Sequence, residues 1–426
     1  ADAGFSRRNS RVHILFAVYR RDICSHAMVV IMPNFVEVQC CQQVTWVRDN
    51  RALARAVDSG LAIIPVYIWA PEEEGDWPYG GASRWWLHHS LSGLADVLSE
   101  LGAPLVVRQG DSIDILRSLV EQTGASRLYY NRRYEPHARQ RDELIEAAFA
   151  NLRVTVESFN STLLFEPWQV RTNEGNPYKV FTPFWKRCCA SESGIGASAR
   201  TFREVEFLMR FEFDIPSLDI GDLALLPEVD WTKGLDVMWS PGEHGSQVRL
   251  KQFVQSALGQ YEEGRDRPYY EGVSFLSPHL HFGEIGPAQI WSRVQDEMGT
   301  MSFEQRKRAQ IYLKELGWRE FAYHVLYNFP ETTSKPLRSR FEQFLLRSNH
   351  EQLRRWQLGQ TGYPIVDAGM RQLWTTGWMH NRVRMIVASF LTKDLRLSFR
   401  EGARWFFDTL VDADLPSNTM GCQWAA

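Results

Sequence analysis

From Leu61 the chain alternates short apolar runs with amphipathic stretches, a pattern that restricts it to a parallel sheet covered by helices. Strands are predicted at Leu61 to Trp69, Leu105 to Arg108, Leu128 to Tyr130 and Val154 to Val156, with helices at Ser83 to Leu101, Ser112 to Gly124 and Pro136 to Asn151 between them. This is a Rossmann-like arrangement. No G-x-G-x-x-G opens any of those helices, so a nicotinamide dinucleotide is not expected there. From Glu157 to about Leu235 the periodicity weakens, and Asn160, Pro167, Asn173, Gly175, Pro177 and Pro183 punctuate a long connection. Beyond Gly245 the strand signals vanish, and Trp, Phe, Leu and Met recur at three and four residue steps. The expected fold class is α/β: an atypical segment 1–43, a Rossmann-like parallel-sheet domain 44–160, a linker 161–240 and an all-helical domain 241–426.

At 426 residues the chain is long enough for two cores. A net charge of −3 excludes a wholly basic nucleic-acid coat, so any such contact needs a local patch. Between Arg371 and Arg404 the cations Arg371, Arg382, Arg384, Lys393, Arg396, Arg400 and Arg404 outnumber Asp394 and Glu401, which reads either as that patch or as a solvated helix face. Arg20, Arg21, Asp22 and His26 break the one apolar region near the start, so no membrane span is expected, and six cysteines without C-x-x-C spacing suit a reducing cytoplasm. A cytoplasmic monomer is expected. The Arg-containing, acid-poor start is faintly like an organelle transit sequence or an artefact of the gene start. Aromatics make up 13% of residues, a high share that either fills cores or makes stacking surfaces for planar ligands and bases, and composition alone does not choose between them.

No G-x-S-x-G, H-E-x-x-H or G-x-x-x-x-G-K-[ST] motif occurs, which removes the standard hydrolase and ATPase readings. His279 and His281 lie two apart, as on a strand edge, but no second cluster of ligands completes a metal site, and packing histidines fit better. No metal is expected. The stretch Thr361 to Met385 is different in kind: Trp378, His380, Asn381, Arg382 and Arg384 crowd among apolar residues, where polar groups need partners. Such a segment wraps a polar ligand.

That stretch, read as Thr361-Gly362-Tyr363-Pro364-Ile365-Val366-Asp367-Ala368-Gly369-Met370-Arg371 and Gly377-Trp378-Met379-His380-Asn381-Arg382-Val383-Arg384-Met385, closely resembles the flavin-binding region of the DNA photolyase and cryptochrome family. Two further segments resemble it as well. In Tyr261 to Gly286 the resemblance assigns FAD contacts to Tyr261, Ser274, Leu276 and Ser277, although Val273 stands where photolyases usually carry Thr; Ser277-Pro278 equally fits a helix start capped by serine. In Asp412-Ala413-Asp414-Leu415-Pro416-Ser417-Asn418 it assigns an Arg384–Asp412 ion pair beside the isoalloxazine, with Asp414 and Asn418 continuing the motif. Tyr312 and Arg319 complete the implied cofactor set. Asn418, where plant cryptochromes carry Asp and animal ones Cys, and Asn381, where (6-4) photolyases carry His, imply a photolyase for cyclobutane pyrimidine dimers, closest to class I.

The resemblance further implies that damaged DNA is the partner, with the dimer flipped into a pocket of Glu315, Trp318, Asn381, Met385 and Trp424. Reduced FAD would act under light, and the sheet domain would hold an antenna, folate or deazaflavin. The alternative is a cryptochrome-like photosensor without repair. Three departures bear on it. Leu346, Phe399 and Cys422 stand at the family's three electron-relay tryptophans, so photoreduction by that route should be lost. The N-terminal strand and loop is either shortened at Val44 to Leu53 or displaced to Val18 to Ile23 by an insertion. The chain stops at Trp424-Ala425-Ala426, where relatives continue for several helical turns, and a more loosely held cofactor is expected.

Overall fold

Five short strands, β1 (Val29–Met32), β2 (Ala62–Trp69), β3 (Val106–Gln109), β4 (Arg127–Asn131) and β5 (Thr155–Phe159), form one sheet in the order β3-β2-β1-β4-β5. Every pairing is parallel. The computed structural model describes residues 29–32, 47–190, 208, 214–340 and 347–425. The strand order is that of a doubly wound sheet, with β1 at its centre. Sequence analysis set 1–43 apart as atypical, yet the central strand comes from within it. Val29–Met32 is as long as β3 and escaped notice because the alternation was read only from Leu61 onward. Of the two sites considered for the first strand and loop, Val18 to Ile23 lies outside the described residues, as do residues 44–46 of Val44 to Leu53, whose remainder is a turn leading into a helix from Arg51.

Strand β2 tolerates Pro65 because it changes partners there: Ala62 to Pro65 face β1, and Val66 to Trp69 face β3. The flanking helices are α1 (Arg51–Asp58), α2 (Gly81–Glu100), α3 (Ser112–Thr123) and α4 (Pro136–Phe149). Local chemistry sets their ends. Asn50 caps α1 by accepting from Leu53 N at 3.0 Å, Asp111 caps α3 through Asp114 N at 2.9 Å, and Gly124 ends α3 in the left-handed region.

The rest is helical: α5 (Phe181–Ala190), α6 (Lys233–Met238), α7 (Glu243–Ser256), α8 (Tyr261–Gly264), α9 (Ser277–His281), α10 (Pro287–Thr300), α11 (Phe303–Asn328), α12 (His350–Gln357), α13 (Pro364–Thr376), α14 (Asn381–Ser389), α15 (Phe399–Thr409) and α16 (Leu415–Ala425). A π-helical turn, Phe390–Asp394, continues α14. The stretch read as linker is more than a connection. Its helix α5 lays Phe184 and Cys188 into a small core with Phe321 and Val325 of α11, and Trp185 sits where a Cβ on Gly317 would stand, 2.5 Å away. Only glycine allows that approach.

Two buried carboxylates tie the halves together. Glu284 accepts from Trp86 Nε1 (2.8 Å) and Ser90 Oγ (2.6 Å) of α2 and from Gly242 N (2.7 Å), and its other oxygen pairs with His279 Nδ1. Glu320 of α11 accepts from Leu164 N (2.8 Å) and Phe165 N (3.2 Å) just beyond the sheet. Apolar packing follows the same seam, since Trp239, Phe282, Trp378 and Val411 of the helical half join the sheet's core.

Candidate functional site

Helix α11 carries the first wall. Tyr312 packs its ring 4.5 Å from Phe253 of α7 and 5.1 Å from Tyr261 of α8, and burial raises both phenols above their ordinary pKa. Tyr312 also shares a hydrogen bond with Ser274, whose Oγ accepts from Leu276 N at 3.3 Å. Between them Phe275 is held at φ 54°, a conformation that costs a non-glycine residue energy, and its ring lies 4.7 Å from Trp378. The loop is thus strapped to the Trp378 segment. Leu276 is buried, whereas Ser277 is exposed and makes no capping bond at the start of α9, so the serine-cap expectation is not met.

The second wall is charged. Arg384 Nη2 lies 2.9 Å from both oxygens of buried Asp412, and its Nε donates to Met379 O at 2.7 Å. Asp414 accepts from Tyr323 OH at 2.7 Å and Ser417 N at 3.0 Å, which fixes the turn into α16. Asn418, one turn on, donates to Ala403 O at 3.1 Å and leaves Oδ1 facing Cys422 Sγ at 3.8 Å. Arg319 donates from Nη1 to Thr162 O at 2.8 Å, while its buried Nη2 has no partner. His380 Nδ1 caps α14 by accepting from Arg382 N; its Nε2 is likewise buried and unpartnered. Burial and the cations Arg382 and Arg384 lower the His380 pKa.

A third group stands beside Tyr261. Glu315 is paired with Arg265 at 2.5 Å, and Arg382 Nε with Asp266 at 2.6 Å. Asn381 and Met385 are exposed on α14, with Met385 Sδ 3.7 Å from Arg382. One turn on from Glu315, Trp318 meets Trp424: their rings are 5.4 Å apart, and Phe181 stacks on a face of Trp318 at 3.7 Å and 11°. Of the five residues assigned to one lesion pocket, Trp318 and Trp424 are in ring contact, and Glu315 and Trp318 share α11, three positions apart. Phe399 is partly buried, and Cys422 is buried with its thiol pKa pushed up to about 12 by burial. Leu346 lies outside the described residues.

Sequence reasoning missed Arg265, Asp266 and Phe181. Arg265 and Asp266 lie among the alternating charges of Glu262 to Arg267, which look like a solvated face; the partner that gives Arg265 a role is 50 positions away. The two histidines also differ from expectation. They sit on the short helix α9, not a strand edge; His279 is satisfied by Glu284, but both ring nitrogens of buried His281 lack partners. Burial lowers the His281 pKa to about 4 despite Asp414 and Asp412 nearby. Of the basic run, Arg371, Arg382, Arg384 and Arg400 are each bonded within the fold, leaving Lys393, Arg396 and Arg404 as exposed cations.

Hydroxyls, a partly buried Arg–Asp pair and unpartnered buried donors on Arg319 and His380 suit a large, anionic, hydrogen-bonding cofactor, and a doubly wound sheet joined to such a helical cradle defines a two-domain nucleotide-cofactor protein. Comparison with known proteins makes this specific. Residues 46–203 match the family model for DNA photolyase, and residues 312–426 match that for the FAD binding domain of DNA photolyase. The chain is 43% identical over 379 residues to a deoxyribodipyrimidine photo-lyase of Agrobacterium fabrum, covering 89% of this chain and 77% of that protein. It is 35% identical to cryptochrome-1 of Arabidopsis thaliana over 89% of this chain, but spans only 56% of that longer protein. A solved class III photolyase from Agrobacterium tumefaciens superimposes with a TM-score of 0.87 at 40% identity, covering 95% of this chain and 80% of that one. The chain belongs to the DNA photolyase and cryptochrome family, and its cofactor is FAD.

Proposed function

We propose that the protein is a photolyase that repairs cyclobutane pyrimidine dimers in DNA under light. What carries the reading is the group around Tyr261, whose ring lies 5.5 Å from the Arg265 guanidinium and 5.1 Å from Tyr312, with Glu315 paired to Arg265: an acceptor, a cation and an aromatic wall side by side. A base turned out of the duplex needs that combination, with Glu315 accepting from its polar edge, Arg265 donating to it and Met385 packing its apolar side. The Arg382–Asp266 pair is exposed enough that a phosphate can replace Asp266 at little cost. Tyr261, Ser274, Tyr312, Arg319, Arg384, Asp412 and Asn418 would hold FAD. The chemistry FAD supplies when bound is light-driven donation of one electron to the dimer and its recovery after ring opening. The residues orient cofactor and lesion, and fixed charges stand near both.

The subclass reads as class III, in place of the class I likeness expected from the motifs, because the structure so titled matches over nearly the whole chain. An antenna, folate or deazaflavin, would lie outside the carboxyl ends of β2 and β4, where buried Arg133 already bridges Glu74 and Glu135. Phe399 and Cys422 favour a second reading, a flavin photosensor without repair, since neither replaces an indole as an electron donor. Light-dependent repair of a thymine-dimer oligonucleotide, with FAD under anaerobic dithionite, separates the two. Repair supports the photolyase. Bound, reduced flavin without repair would leave the sensor.

A further inference from the structure

One face of Trp318 is already stacked. Phe181, the first residue of α5, lies parallel to it, with 3.7 Å between ring centroids and 11° between planes, which is how a base lies on an indole. Two further ring contacts of Trp318 are not parallel: Trp424 is tilted by 39°, and Phe321 meets it edge-on at 77°. The chain on either side of Phe181 is anchored independently of this stack. Tyr178 N donates to His324 Nε2 at 3.0 Å, while Phe184 and Cys188 seat α5 in the small core with Phe321 and Val325, and Trp185 fills the space above Gly317. The Phe181 side chain is held by the rings of Trp185, Trp318 and Phe321. It can leave Trp318 while Tyr178 and the body of α5 keep their places.

We propose that Phe181 keeps the place of an extruded base on Trp318 and gives it up when a loosely held base arrives, which makes it a specificity-determining residue. This rests on the photolyase reading, in which Trp318 stacks on that base. A base on an aromatic ring is held more strongly than one aromatic side chain on another, so the exchange runs toward the base. The margin is smaller than the cost of unpairing and unstacking a sound base. A dimer is poorly paired from the start, so its extrusion costs least and it is the substrate that can displace Phe181. Phe181 has no polar edge. It covers the stacking face and makes no claim on Glu315, which stays paired with Arg265 one turn earlier on α11.

The test is fluorescence anisotropy in the dark, so that nothing is repaired, on the flavin-loaded full chain with two labelled duplexes of one sequence, with and without a thymine dimer. Phe181→Ala removes the competitor and should tighten binding of the dimer duplex about two- to tenfold, the worth of one aromatic stack, with the undamaged duplex bound as by the parent. Phe181→Leu keeps apolar bulk but cannot stack; it should shift affinity the same way, and it serves if the Ala variant melts below the parent. In a Trp318→Ala background, Phe181→Ala should change nothing, because the shared face is gone. Weaker dimer binding by the Phe181 variants would make this ring a permanent wall of the pocket, and unchanged binding would make it packing only; both overturn the proposal, as does an equal gain for the two duplexes. Trp318→Ala that binds the dimer duplex like the parent would remove the base from Trp318 altogether, a failure of the underlying reading and not of the exchange alone.

Discussion

At the scale of single residues, the site separates groups that hold the cofactor from groups that meet the substrate, and the two should fail differently. Glu315 touches Arg265 and no residue of the Arg384–Asp412 wall. Glu315→Ala should lower repair per absorbed photon about tenfold, the loss of one charge-assisted hydrogen bond, while flavin retention stays at the parent level. Equal loss of both would contradict the assigned role. Arg384→Ala strands the buried carboxylate of Asp412 and removes a cation from the cradle, so retention of FAD on gel filtration should fall, with a stability loss of about 2 kcal/mol in denaturant titration. Normal flavin content in that variant would move the cofactor away from this pair. Cys422 poses a different question. It is packed in the core against Asn418, so Cys422→Trp, combined with Phe399→Trp and Leu346→Trp, should restore light-driven reduction of bound flavin by external thiol at some cost in packing. No gain in the rate of flavin bleaching would mean that the obstacle lies elsewhere.

At the scale of elements, the hub at Glu284 makes the clearest prediction. It joins α2 to the segment that carries Ser274 and Leu276, because His279 and Phe282 lie on the far side of the same contacts. Glu284→Ala leaves Trp86 Nε1, Ser90, Gly242 N and His279 without their acceptor in a site closed to water, and should cost about 3–5 kcal/mol in chemical denaturation. Glu284→Gln keeps one acceptor oxygen and should cost clearly less; equal losses would show that shape matters there and hydrogen bonding does not. The same hub shows what the sequence could reveal. Strands β2 to β5 and helices α2 to α4 were legible because each repeats an apolar pattern within a dozen residues. Arg384 and Asp412 were legible because a family motif names them. Glu284 with Trp86, and Glu315 with Arg265, were not, since partners 198 and 50 positions apart leave no local mark. Strand β1, as long as β3, was missed because it precedes Leu61, where the repeating strand and helix pattern begins.

At the scale of the whole molecule, the seam between sheet and helices depends on pH through Glu320. Its carboxyl is buried in the middle of α11; burial raises its pKa to about 8, and Arg319 beside it offsets only part of that rise. One oxygen accepts from the backbone of Leu164 and Phe165, and the other makes no hydrogen bond but lies 3.7 Å from Arg319 Nη1. In the unfolded chain the same group titrates near the ordinary glutamate value. Folding therefore takes up a proton between about pH 4.3 and the raised value of about 8, and the stability this group contributes is fully present below that window and lost as pH rises through it. Glu320→Gln mimics the protonated acid at every pH, since its amide oxygen can accept the same two N–H bonds. The thermal midpoint of the variant should match the parent near pH 5 and exceed it by a few degrees at pH 8.5, so that the parent's curve falls with pH where the variant's stays flatter. Parallel curves would mean that Glu320 stays charged and that Arg319 and the two backbone donors suffice to hold it so. A seam weakened at alkaline pH would also loosen Arg319, the neighbour on α11 that reaches across to Thr162 O, and flavin release from the parent should then rise over the same pH range as its stability falls.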